Sequence, residues 1–350
     1  MSQTLRHRCG LLKNYWYAAA RSEEVVDAKP IGRVVLGEKL VLWRAKTGVV
    51  AQIDRCLHRN ALLSKGVIVD GCLACPYHGW MYDTAGRCVH VPSEGPQSTG
   101  NRDLKLETFP VIERHGLVWV WMGGEVEPDK EPFPMPHYDE PGWRSYYMTT
   151  MFDNGVTNLV ENFMDVPHTV FVHAGWFRTA KKLRIRTEVR RTPDSVLVTY
   201  DQRSDEIGFS SALLQTRGLP LVHTDKFYMP NTTRVDYVWG NEERAFVITS
   251  TCTPVSELET RVYTLISYKL GWFNQVANLF LPFYTRRVIQ QDVDIMANQG
   301  SSLRHHGPPA FHSTSADILH QHIEALREWD EKGGIGERPE PTVETIEMWV

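Results

Sequence analysis

The chain has 350 residues, of which 42% are hydrophobic and 11% aromatic, with a formal net charge of −4; that is enough for two domains with sizeable cores. The nearly balanced charge gives no footprint for nucleic acid or an anionic membrane surface, and six cysteines are too few for a disulfide framework at this length. No N-terminal segment combines a basic start, an apolar run and a small-residue cleavage site, and the most apolar stretch, 272–284, is broken by Asn274, Gln275, Asn278 and Pro282. A soluble, cytoplasmic protein is expected, outside the membrane and without a nucleic-acid partner.

In chain order, the first third reads as short strands between turns. Residues 33–54 carry β-branched runs broken at Gly37-Glu38 and Thr47-Gly48, and 116–123, "GLVWVWMG", is another strand. These predict a small antiparallel β domain. Residues 123–143 hold five prolines and many acids, which neither a helix interior nor a central strand tolerates. The domain boundary is expected there, giving domains 1–124 and 125–350. Beyond it, 157–165 predicts a helix, 183–203 and 245–270 predict hairpin strands, and 282–299 and 315–329 predict helices. The Gly/Pro-rich tail from Gly333 is expected to extend over the surface. The second half is therefore α+β, helices around an antiparallel sheet.

Within the β domain, Cys56-Leu57-His58 and Cys75-Pro76-Tyr77-His78 are separated by sixteen residues. Thiolate and imidazole together suit zinc. Zinc fingers, however, pair cysteine with cysteine and histidine with histidine, whereas each segment here supplies one of each. That alternation suits a two-iron cluster with Cys56 and Cys75 on one iron and His58 and His78 on the other. The string resembles the Rieske fingerprint C-x-H-x15-17-C-x-x-H, including the Gly79-Trp80 that often follows. Rieske subunits of respiratory complexes carry two further cysteines, at positions occupied here by Ala61 and Tyr77, and usually a serine where Trp80 stands. Their absence resembles the ferredoxin or oxygenase type and implies a potential toward the low end of roughly −150 to +300 mV. Cys72 and Cys75 also spell C-x-x-C, but Cys75 is already used and no helix start follows. Cys9, Cys72, Cys88 and Cys252 read as packing residues.

The predicted helix at 157–165 leads into "ENFMDVPHTVFVH", which offers Asp165, His168 and His173. Residues five apart on an ideal helix point about 140° apart, so Pro167 is expected to introduce a kink or π-bulge that lets both histidines reach one metal. The string resembles the mononuclear-iron motif of Rieske non-heme iron oxygenases, (D/E)-x3-D-x2-H-x4-H, at Glu161, Asp165, His168 and His173. A facial triad of two histidines and one carboxylate still lacks its acid. In the helix from 282, Asp292 shares a face with Val288, Ile295 and Met296 while Asp294 turns away, and a carboxylate on an apolar stripe needs a partner or a cation. Asp292 is the expected third ligand, with Asp294 the alternative and Glu161 in a supporting role behind the ligands.

The resemblance covers most of the chain and implies a terminal oxygenase: a Rieske domain followed by a helix-grip domain with mononuclear Fe(II). It implies electrons from NAD(P)H through a separate reductase or ferredoxin, and O2 used to hydroxylate or oxidatively demethylate a small aromatic or polycyclic substrate. It also implies that Asp165 joins His168 to His78 of a neighbouring copy in a head-to-tail homotrimer. The size is more similar to the α-only monooxygenases and demethylases than to ring-cis-dihydroxylating dioxygenases. A Rieske electron carrier or ligand-binding protein without oxygenase chemistry stays open as the other class, and it predicts no second iron.

Overall fold

The computed structural model describes residues 3–27, 29–126, 130–174, 184–200, 221–240, 244–307 and 311–349. The chain forms two compact units, Met1–Pro134 and Met135–Val350. The division lies beyond Gly124 because the following residues pack on the first unit: the Trp16 indole donates to the Lys130 carbonyl at 3.0 Å, and Arg114 pairs with Glu131 at 2.7 Å. No helix among the described residues is long and apolar enough to cross a membrane.

The first unit opens with one turn of helix, α1 (Leu5–Arg8), and is otherwise built from three small antiparallel sheets. β1 (Trp16–Arg21), β10 (Val111–Arg114) and β11 (Leu117–Trp121) make one. β2 (Ile31–Val35), β3 (Glu38–Ala45), β4 (Gly48–Ile53) and β9 (Thr108–Phe109) make the second. β5 (Val67–Val69), β6 (Cys72–Ala74), β7 (Met81–Tyr82) and β8 (Cys88–His90) make the third. The apolar run Leu40–Trp43 in β3 explains the arrangement. All four side chains are 0% exposed, Leu40 and Leu42 packing with Val118 and Val120, and Val41 and Trp43 with Cys56, Cys75 and Tyr82. β3 is thus buried on both faces, which its unbroken apolar string requires. The turn before it centres on Leu36-Gly37, both at positive φ, one residue earlier than Gly37-Glu38 suggests; Val35 pairs with Glu38 across a two-residue hairpin loop.

The second unit is one eight-stranded antiparallel sheet with helices. Its strands are β12 (Arg144–Phe152), β13 (Arg184–Arg191), β14 (Ser195–Tyr200), β15 (Leu221–Tyr228), β16 (Thr232–Trp239), β17 (Arg244–Ser256), β18 (Glu259–Lys269) and β19 (Thr342–Trp349), in the order β12-β18-β17-β16-β15-β14-β13-β19. Alternating burial along β13 and β14 shows the period of two that the sequence predicts; residues 201–203 of that expected hairpin lie outside the described residues. The helices are α2 (Val156–Met164), α3 (Asn274–His306) and α4 (Ile318–Glu331).

Three expectations need correction. The tail from Gly333 does not simply extend over the surface: its last residues form β19, paired with β13 from Arg184↔Trp349 to Arg191↔Thr342, and the alternation of "TVETIEMW" carries that strand signal. α3 does not begin at Pro282 but at Asn274, with Pro282 inside it. Proline costs the helix its bond to the Asn278 backbone carbonyl; separately, the Asn278 side-chain oxygen accepts from the Tyr268 hydroxyl at 3.3 Å. Nor does Pro167 kink a continuing helix or make a π-bulge. α2 ends at Met164, Asp165 is extended at φ −87°, ψ 108°, and Pro167 opens a separate 3-10 turn over Pro167–Val170, a position where its missing N–H costs nothing.

Candidate metal centres

The two Cys-His segments lie in the loops β4–β5 and β6–β7, and these loops repeat one backbone pattern. The Cys56 N–H donates to the Ala61 carbonyl and Asn60 N–H returns to the Cys56 carbonyl, both at 2.9 Å; Cys75 N–H donates to Trp80 at 2.8 Å and Gly79 N–H to Cys75 at 3.1 Å. Asn60 and Gly79 occupy the same place in each loop, with φ 59° and 70°, the left-handed conformation that asparagine and glycine tolerate. At Gly79 a Cβ would also stand 3.0 Å from Pro92. The loops face each other as two pairs. Cys56 and Cys75 are buried with their thiols side by side, and burial raises the Cys75 thiol above its ordinary value, with Cys56 beside it adding. The His58 and His78 rings lie 4.5 Å apart, and Trp80 stacks on His58 at 4.7 Å. Desolvation lowers the His58 pKa, with His78 and Arg59 adding to it.

Buried Nδ1 of His58 has no hydrogen-bond partner. Such an orphan costs roughly 1–3 kcal/mol, and a metal bond would satisfy it. Thiol beside thiol and imidazole beside imidazole fit two irons rather than one zinc. None of the six cysteines is in a disulfide, so Cys72 and Cys75 form no dithiol bridge. The sequence did not point to Tyr82. Its hydroxyl accepts from Leu57 N–H at 3.1 Å and lies 3.2 Å from Cys56 Sγ, so its own proton is left for the sulfur.

In the second unit, the break between α2 and the 3-10 turn sets His168 and His173 against α3. The crossing is fixed at Gly300, where a Cβ would stand 1.9 Å from the Asp153 carbonyl, and by Asn154, whose Nδ2 donates to the Met296 carbonyl at 3.0 Å and to Gln299 at 2.8 Å. Asp292, two turns earlier on α3, is 5% exposed. Its Oδ1 lies 3.5 Å from His168 Nε2 and 3.2 Å from His173 Nε2, and the two Nε2 atoms are 3.3 Å apart. The ligand atoms of these three residues all lie within 4.8 Å of one another, close enough to hold one metal ion. Asp294 is exposed and accepts from Gln290 at 2.8 Å. Ile295, placed by the sequence on the buried face, is 38% exposed. Glu161 turns away from the group to His320, 3.3 Å distant.

The surroundings of the triad prepare it for a cation. Burial works against charge on Asp292, but hydrogen bonds with His168 and His173 outweigh it and hold the carboxyl down to about 2. Desolvation opposes a proton on His168, yet its hydrogen bond with Asp292 raises its pKa overall. Asp165 caps His168 from behind: its backbone carbonyl meets Nδ1, and its Oδ2 accepts the His168 N–H at 3.3 Å. Two partners escaped the sequence reading. Asn162 Nδ2 donates to Asp292 Oδ1 at 3.1 Å, and Gln291 Oε1 lies 3.0 Å from His173 Nδ1. An amide oxygen there selects the tautomer that leaves Nε2 free for a metal. The triad opens on a cavity of about 130 Å³ whose wall includes Met148, Phe163, Val235, Phe246, Ile248 and Ile266.

Residues 15–110 match the family model of the Rieske [2Fe-2S] domain, and residues 153–325 match that of the vanillate O-demethylase oxygenase C-terminal domain. The chain belongs to the Rieske oxygenases. Its cofactors are accordingly a Rieske [2Fe-2S] cluster and a mononuclear iron. Among relatives, the oxygenase component of dicamba O-demethylase from Stenotrophomonas maltophilia is 39% identical over 184 residues, 51% of this chain and 52% of that protein. This match spans about half the length of that protein, as do matches to other oxygenase relatives. Methylxanthine N3-demethylase NdmB from Pseudomonas putida is 28% identical over 309 residues, 82% of this chain and 81% of that one. The crystal structure of dicamba monooxygenase bound to 3,6-dichlorosalicylic acid superposes with a TM-score of 0.79 at 24% identity, covering 93% of this chain and 99% of that one. Fold and domain order are shared.

Proposed function

We propose that the protein is the terminal component of an oxygenase system, hydroxylating or oxidatively demethylating a small, apolar, aromatic or polycyclic substrate with O2. The observation that carries this is the His168, His173, Asp292 triad at the wall of an apolar cavity, in a chain that also carries the Rieske loops. In this reading Cys56, His58, Cys75 and His78 hold the cluster, within Met1–Pro134, and the triad holds Fe(II), within Met135–Val350. The cluster supplies single electrons and the mononuclear iron, with positions left open by three protein ligands, supplies O2 activation.

The chain's own residues then have defined tasks. Asn162 holds the Asp292 carboxylate, Gln291 fixes the His173 tautomer, and the apolar wall excludes water from the reacting face. Asp165 serves as the bridge from His168 to His78 of a neighbouring copy in a head-to-tail trimer; its side chain is 37% exposed and His78 is exposed. A separate reductase or ferredoxin delivers electrons from NAD(P)H, and six cysteines outside any disulfide suit a cytoplasmic location. Demethylation is favoured over ring dihydroxylation because the C-terminal domain matches that of vanillate O-demethylase.

The test is iron dependence. A protein carrying the cluster alone, supplied with NADH and a Rieske-system reductase, should be reduced yet consume no O2 with substrate until Fe(II) is added. O2 uptake indifferent to Fe(II), or a chain without a visible cluster spectrum, would contradict the proposal.

A second expectation concerns the potential. The Tyr82 hydroxyl favours the reduced, more negative cluster, opposing the low potential implied by the missing cysteine pair and by Trp80 in place of a serine. Tyr82→Phe should lower the midpoint by about 40 mV for each ~1 kcal/mol of that preference. A redox titration followed by electron paramagnetic resonance reads it, and an unchanged midpoint would remove Tyr82 from the cluster's environment.

A further inference from the structure

The first unit carries a groove of about 880 Å³ whose wall includes the first cluster loop. Arg55 directly precedes Cys56, Leu57 lies between Cys56 and His58, and the Asn60 N–H donates to the Cys56 carbonyl; all three residues line the groove. His78, on the second loop, is not among its described lining residues. The groove thus reaches the cluster site along a different loop from the one assigned above to a neighbouring copy.

Its charge runs against that of the whole chain, which is −4. The three acids on its described wall are committed. Glu107 pairs with Arg6 at 2.7 Å, and Glu38 accepts from the Thr4 hydroxyl at 2.6 Å and lies 3.5 Å from His7. Both Asp54 oxygens accept from Ser64, one from its N–H at 2.7 Å and one from its hydroxyl at 2.5 Å. Lys13, Lys39, Arg55 and Lys105 line the same wall, and none of them pairs with a carboxylate among the described residues. Lys39, Arg55 and Lys105 are exposed. Unpaired cations gathered in one concavity focus a positive field at its mouth. A small-molecule pocket is lined mainly by apolar and aromatic side chains, and the described wall has no Phe, Tyr or Trp. Exposed lysines around a wide concavity suit a transient protein contact, in which charge sets the rate of encounter.

We infer that this groove is the docking surface for the electron donor, and that the donor is an acidic one-electron carrier protein. One electron passes from the reduced carrier, which is thereby oxidised, to the cluster held by Cys56, His58, Cys75 and His78, which is reduced by one; no bond forms or breaks. This rests on the oxygenase reading above and adds where the donor binds and what charge it bears.

Anaerobic stopped-flow reduction of the full chain tests it, with a reduced, acidic plant-type [2Fe-2S] ferredoxin as the probe, whose lower potential drives the transfer. The bimolecular rate constant should fall steeply as salt is raised. Lys13→Glu/Lys39→Glu/Lys105→Glu should lower it roughly tenfold or more at low salt and flatten the salt dependence. The matching triple glutamine variant should fall between. Lys46→Glu makes a like change of charge at the other end of β3 from Lys39 and should leave the rate nearly unchanged. Photoreduced deazariboflavin, small and uncharged, should reduce all four proteins equally, which with an unaltered visible spectrum shows the cluster intact. An equal loss in Lys46→Glu, an unchanged rate in both triple variants, or wild type reduced by deazariboflavin but not by ferredoxin would each overturn the inference. Inhibition by inorganic phosphate beyond that of chloride at equal ionic strength would make the groove a small-anion site instead, and altered sedimentation of both triple variants would make it a seat for a second copy. Failure of the oxygenase reading has a separate signature, a metal analysis without mononuclear iron, on which cluster reduction does not depend.

Discussion

Iron analysis of the His168→Ala/His173→Ala variant is expected to return about two irons per chain where wild type returns about three, with acid-labile sulfide unchanged at about two. The two imidazoles supply two of the three ligand atoms gathered within 4.8 Å, and what remains is one carboxylate held by Asn162 at 3.1 Å. A lone carboxylate does not retain Fe(II) against water. Substrate-dependent O2 uptake should disappear while the visible cluster spectrum persists, because the Cys-His loops belong to the other unit. The metal-free variant should also lose a pH dependence. In wild type stripped of its mononuclear metal the Asp292 carboxyl is held down to about 2, below its unfolded value of about 3.9. The resulting stability is present above the unfolded pKa and lost as pH falls through the folded one. Without the histidines that hold Asp292 low, acid titration of stability should be flatter. Three irons retained in the variant would remove these residues from the site, and two irons in wild type after Fe(II) reconstitution would leave an electron-transfer protein.

What the sequence made legible was local. The Cys-x-His and Cys-x-x-His spacings lie within short loops, and His168 and His173 share one turn and its exit, so a motif captures them. Asp292 was reachable because a buried carboxylate on a helical stripe is conspicuous, although Ile295, assigned to that stripe, is exposed. Contacts that depend on register or crossing were not legible. Tyr82 reaches Cys56 only because β7 follows the second loop directly into the third sheet. His223 meets Tyr200 and Tyr237 through pairing across three strands, and no one-dimensional period encodes that. Pro167 was rightly a breaker, but whether the chain kinks or stops depends on what the freed backbone finds. Here Asp165 supplies it, its carbonyl taken by the His168 ring and its carboxylate by the His168 N–H.

Asp165→Asn is expected to keep both metals and lose roughly 10- to 100-fold in turnover. Asparagine has nearly the same shape, its amide oxygen still accepts the His168 N–H, and the backbone carbonyl that meets His168 Nδ1 is untouched, so the iron site should stay formed. What is removed is the negative charge beside the imidazole, 3.7 Å from Nδ1 to Oδ2, and with it the link proposed to run to His78 of a neighbouring copy. Burial pushes the Asp165 carboxyl above its ordinary value, with His168 opposing that rise, so a charge at this position is held by its partners and matters most where they assemble. Stopped-flow spectroscopy separates the possibilities. If Asp165 is the bridge, the reductase should reduce the variant's cluster at the wild-type rate, while reoxidation of the cluster in the presence of substrate and O2 slows with turnover. Unchanged turnover would make Asp165 a capping residue for the His168 turn and no more. Loss of iron in parallel with activity would instead make it a support for the ligand, and electron transfer between copies would then need another route from His78.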